Sequence, residues 1–159
     1  MQFYRIVGSL ILVFSGFGGA YVLNNTASLR YSQADALIAF FRFVRAQIEC
    51  FAMPATEILS RCEKSLLIDC GFSVSEKAVG FEDLLRGLSI YDGELREITE
   101  GFIRNFGKSY REEQIKECDY YIERLLARRQ KLFEELPNKK KVNSALCISS
   151  ALAAVILLL

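Results

Sequence analysis

The chain has 159 residues, room for one modest domain, and 52% of them are hydrophobic, with 20 Lys and Arg against 19 Asp and Glu. It contains no histidine, which excludes histidine acid-base catalysis and histidine metal ligation. Every acid and every base except Arg5 falls between Asn24 and Lys141, so that segment sums to 19 − 19 = 0 and offers no net field to draw nucleic acid.

The first end, Met1 to Leu23, places Arg5 before the apolar run IVGSLILVFSGFGGAYVL. A cleavable leader fits the basic start, the apolar stretch and the small residues Gly19 and Ala20. A retained span fits better, because the apolar character passes the small residues and reaches the polar break at Asn24, close to the ~20 residues a crossing needs. Gly16 with Ala20, and Ser15 with Gly19, have the spacing that lets a second helix approach.

The middle, Asn24 to Lys141, reads as helix throughout. Leu37, Ile38, Phe41, Val44, Ile48 and Phe51 recur at three- and four-residue steps, with Arg42, Arg45, Gln47 and Glu49 on the other side. Pro54 suits the first turn of a new helix with the face Ile58, Leu59, Cys62 and Leu66. A loop with Gly71 precedes a short helix at Phe81 to Leu85. Asp92 can cap the next helix, whose face is Leu95, Ile98, Phe102 and Phe106, and Gly107 is placed to stop it.

The longest helix starts near Ser109 or Tyr110, with Glu112 and Glu113 favouring its dipole. Its apolar stripe is Ile115, Cys118, Ile122, Leu125, Leu126, Leu132, Phe133 and Leu136. Pro137 predicts a kink or short break. Lys139, Lys140 and Lys141 then precede VNSALCISSALAAVILLL, Val142 to Leu159, which as a helix is roughly 27 Å long against a hydrocarbon core of ~30 Å.

Basic residues set the orientation. Arg30, Arg42, Arg124, Arg128, Arg129, Lys131 and Lys139 to Lys141 flank the middle segment, against Arg5 alone on the opposite sides, so the middle is expected in the cytoplasm with both ends outside. The expected organisation is therefore all-α: a transmembrane helix at 1–23, a cytoplasmic helical bundle at 24–141 and a transmembrane helix at 142–159.

Chemistry-bearing motifs are missing. Cys50, Cys62, Cys70, Cys118 and Cys147 have no CxxC spacing and read as buried thiols rather than disulfides or a zinc site. No phosphate-binding glycine loop and no nucleophile elbow occurs. No enzyme activity, cofactor or metal is expected.

The order of segments resembles the stage III sporulation protein AB family. The resemblance rests on the pattern LxxFxRFVRAQIECFAMPATEIL, the FxxxFG turn at Phe102 to Gly107, REEQIKECDYYIERL, and NKKK before an apolar end. That family is similar to the helical domains of type II secretion F proteins. The resemblance implies a non-catalytic platform in the mother-cell membrane around the forespore, within a secretion-like channel complex, working with other membrane proteins and a cytoplasmic ATPase. A homo-oligomer would be compatible with it. The alternative is a small membrane-anchored helical regulator or ligand sensor.

For a platform, the candidate docking face is the turn of Phe106, Gly107, Lys108, Ser109 and Tyr110, because aromatic anchors dominate interface energies. The competing expectation, which weighs more heavily, is a plain helix-helix turn with both rings folded inward.

Overall fold

The computed structural model describes residues 2–51, 55–72, 80–85 and 87–158, with side chains described for 15, 18–51, 57–72, 80–85 and 87–156. Every assigned element among them is an α-helix: α1 (Gln2–Phe51), α2 (Ala55–Arg61), α3 (Lys64–Asp69), α4 (Phe81–Leu85), α5 (Gly93–Asn105) and α6 (Arg111–Leu158). The chain divides into two compact units, one of Met1–Leu29 with Phe133–Leu159 and the other of Arg30–Leu132.

Both long helices run through the ends of the apolar stretches. α1 continues across Asn24, where its apolar run ends, and its polar side chains bond back along the same helix: Thr26 Oγ1 donates to the Val22 carbonyl at 3.0 Å and Ser28 Oγ to the Asn24 carbonyl at 3.2 Å. α6 carries Pro137 in its interior without the expected break. Proline removes one amide from the ladder, and Pro137 lies on the exposed side of α6.

Between Arg30 and Leu132 the core follows the predicted faces. Leu37, Ile38, Phe41, Val44 and Ile48 of α1 are buried, joined by Ala34 and Phe40. Leu95, Ile98 and Phe102 of α5 and Cys118, Ile122, Leu125 and Leu132 of α6 meet them in one cluster. Rings run through its centre: Phe41 stacks on Phe102 at 4.0 Å between centroids, Phe81 on Phe106 at 4.2 Å, and Phe102 meets Tyr121 edge-on at 5.6 Å. Four expected stripe members fall outside the core, since Phe51, Leu126 and Phe133 are exposed and Leu136 is half-buried away from the cluster. Each sits where its face of the helix has turned away from the cluster.

The helix predicted from Pro54 onward is two short helices in the structure. α2 closes on a tight turn in which the Cys62 amide donates to the Leu59 carbonyl at 3.2 Å, and Glu63 is extended before α3. α3 ends with Gly71 at φ +91°; the Phe72 amide reaches back to the Leu67 carbonyl at 3.0 Å and the Gly71 amide to Ile68 at 2.8 Å. This pair of bonds is a Schellman closure, and the left-handed residue it needs is the glycine. The Met53–Pro54 junction lies outside the described residues.

Among the described residues no helix is long and apolar enough to cross a membrane. Within the two expected spans, the side chains of 1–14, 16, 17 and 157–159 lie outside the described residues, whereas those of 142–156 are described.

Candidate functional site

Asp92 is the N-cap of α5, accepting from the Leu95 amide at 3.1 Å, as the sequence predicts. It also receives Arg128 of α6, through Nη2 at 2.7 Å and Nε at 3.0 Å. Burial alone would raise the Asp92 carboxyl, but the Arg128 and Leu95 hydrogen bonds, with the charges of Arg128 and Arg30, outweigh it and hold the group below its usual value. The same Arg128 touches Glu94 at 3.2 Å.

Further basic residues of α6 hold α1. Arg129 pairs with Asp35 and donates to the Tyr31 hydroxyl at 2.6 Å. Arg45 of α1 meets Asp119 at 2.6 Å. Arg111 donates to the Ile48 carbonyl at 3.2 Å and to the Glu49 carbonyl, satisfying the last turn of α1. These arginines were expected to flank a membrane or cover a solvated face; the structure assigns several of them to interhelical latches.

Gln33 is a further device that the sequence does not advertise. Its amide donates to the carbonyls of Cys70 and Ser89 at 3.1 and 2.8 Å and accepts from the Tyr91 amide at 3.1 Å. One buried side chain thereby ties two loops to α1.

The predicted docking turn is split. Phe106 is half-buried against Phe81 and Phe102, and Gly107 adopts φ +80° at the end of α5. Lys108 is exposed, while Ser109 donates to Glu117 at 3.4 Å and its carbonyl accepts from Gln114 at 2.8 Å. Tyr110 is 87% exposed. One ring is therefore folded inward and the other projects, so neither sequence expectation describes the turn completely. Arg111, just after the turn, bonds to the Ile48 and Glu49 carbonyls at the C-terminal end of α1.

The thiols divide in the same way. Cys62, Cys70 and Cys118 are buried, and burial pushes Cys62 up to about 11 and Cys118 to about 12, with Cys70 raised further by the same cause. Cys50, against expectation, is exposed. All five are free, and no group of metal-ligating side chains occurs among the described residues.

The unit of Met1–Leu29 with Phe133–Leu159 is arranged differently. Its inward groups are polar or small: Asn24 donates to Ser144 Oγ at 3.1 Å, Asn143 approaches Asn24 Oδ1 at 3.5 Å, and Ala20 is buried. A Cβ on Gly19 would make an ordinary contact at 3.7 Å with Cys147 Sγ, so α6 passes near this position but does not require a glycine there. Tyr21, Val22, Leu23, Val142, Leu146, Leu152 and Ile156 face outward. Lys139 pairs with Glu135, and Lys140 and Lys141 are exposed.

A family model described as Stage III sporulation protein AB matches residues 80–159, which is 80 of the 159 positions. No curated protein and no solved structure matches the chain.

Proposed function

Because the chain belongs to the stage III sporulation protein AB family, a sporulation family, we propose that it is a non-catalytic membrane platform. On this reading the unit Met1–Leu29 with Phe133–Leu159 anchors it in the mother-cell membrane around the forespore, and Arg30–Leu132 is the cytoplasmic domain that docks partners of a secretion-like channel, an ATPase among them. The observation that carries the anchoring is the exposed apolar surface of this unit, with Val22, Leu23, Val142, Leu146, Leu152 and Ile156 outward beside the half-buried pairing of Asn24 with Ser144 and Asn143. In water that arrangement exposes apolar surface without return, whereas in hydrocarbon it satisfies the polar groups and leaves the apolar ones in their preferred solvent.

Docking is supported by the exposed Tyr110 and Lys108 on a turn whose other aromatic, Phe106, is fixed in the core. A rigid inner ring with a projecting outer one presents an aromatic anchor at little ordering cost. Tagged protein from sporulating cells tests this with Lys108→Glu and Tyr110→Ala. The reading predicts that the ATPase no longer copurifies while the melting curve is unchanged; undiminished copurification, or loss only with unfolding, contradicts it.

A further inference from the structure

Three lysines stand at the start of the apolar outer face. Lys139 folds back one turn to Glu135, but Lys140 and Lys141 extend from α6 into solvent. Three consecutive residues point about 100° apart around a helix, so they form a collar rather than a stripe. Val142 follows at once, and from there to Leu159 no charged residue occurs. The nearest acids in the unit, Glu134 and Glu135, lie on the other side of the collar from the apolar face, and on α1 no acid precedes Asp35. Within the unit, Arg5 and the three lysines stand against two glutamates, 4 − 2 = +2.

We infer that Lys139, Lys140 and Lys141 form a docking surface for anionic lipid headgroups. The inference rests on the anchoring proposed above, which sets the apolar face in hydrocarbon and therefore the next turn at headgroup depth. Charge complementarity selects the occupant: a zwitterionic headgroup offers each ammonium no net charge, while an anionic one offers a full countercharge. The long lysine stems can lie along the apolar surface and still deliver their charges to the phosphate layer. A surface lysine contributes about 1 kcal/mol toward an anionic leaflet, so Lys140 and Lys141 together give roughly 30-fold.

The test uses the full chain, purified in nonionic detergent, stripped of lipid and titrated with phosphatidylglycerol or phosphatidylcholine under native mass spectrometry. The expected result is roughly 10- to 30-fold tighter retention of phosphatidylglycerol. The preference disappears in the variant K139Q/K140Q/K141Q, survives in K139R/K140R/K141R, and shrinks at about 1 M salt, where screening acts within ~3 Å. The arginine variant and the salt series decide the matter even if the glutamine variant unfolds. Equal retention of both lipids by the parent overturns headgroup selection and leaves the anchoring intact. Recovery of the chain free of detergent and of both lipids overturns the anchoring itself. Displacement of phosphatidylglycerol by an equal concentration of inorganic phosphate makes the collar a free-anion site and also overturns the proposal.

Discussion

Two glycines with left-handed backbone show how differently one residue type can matter. Gly71, at φ +91°, closes α3, and a Cβ there would collide with the Ser89 carbonyl and the Gln33 amide. Gly107, at φ +80°, has open space around it. Gly107→Ala should therefore cost about 1 kcal/mol for backbone strain alone, and Gly71→Ala clearly more, because the Gln33 bonds must also give way. Urea titration of the full chain in detergent, followed by circular dichroism, separates the two; equal losses would contradict the described closure. Asp92 gives a pH test. Its carboxyl is held below the ordinary value of 3.8, so its contribution is present above that pH and is lost as pH falls through the folded value. Asp92→Asn should lose about 1–3 kcal/mol at neutral pH and show a shallower decline in acid than the parent. Parallel acid profiles would remove the charge from the account. The cap was legible because Asp before a helical period is a local signal, whereas Arg128 as its partner, 36 positions away, was not. Gln33 was illegible for the same reason, since its partners lie 37 to 58 residues distant.

At the level of whole helices, periodicity located the core well. Phe41 and Leu125 are fully buried, and truncating either to alanine should cost about 2–5 kcal/mol in the same urea titration, whereas Leu126→Ala, on the exposed side of the stripe, should cost well under half as much. A comparable loss at Leu126 would mean that its face is covered. The expected stripe of α6 is wider than the contact face, since Leu126 and Phe133 lie on the exposed side of the helix. The split between α2 and α3 was missed because Leu59, Cys62 and Leu66 keep helical spacing across a turn. Pro137 predicts a kink or short break on local chemistry, yet α6 runs through it as one helix with the proline exposed.

The two compact units of the chain differ in what they expose. Arg30–Leu132 packs phenylalanines within and places latches of Arg45, Arg128 and Arg129 at its edges. Among the described residues of Met1–Leu29 with Phe133–Leu159, Asn24 meets Ser144 half-buried while Val22, Leu146 and Ile156 are exposed. Hydropathy makes both apolar ends legible, but the Asn24–Ser144 contact spans 120 residues and no local pattern encodes it. The central claim is an anchored platform whose folded domain faces the cytoplasm. Cys50 is the reporter the structure supplies, since it is exposed whereas Cys62, Cys70 and Cys118 are buried. A chain keeping Cys50 as its one cysteine should cosediment with membranes and resist a membrane-impermeant maleimide in intact sporulating protoplasts, then label fully on lysis. Labelling before lysis, or recovery in the soluble fraction, would contradict the account.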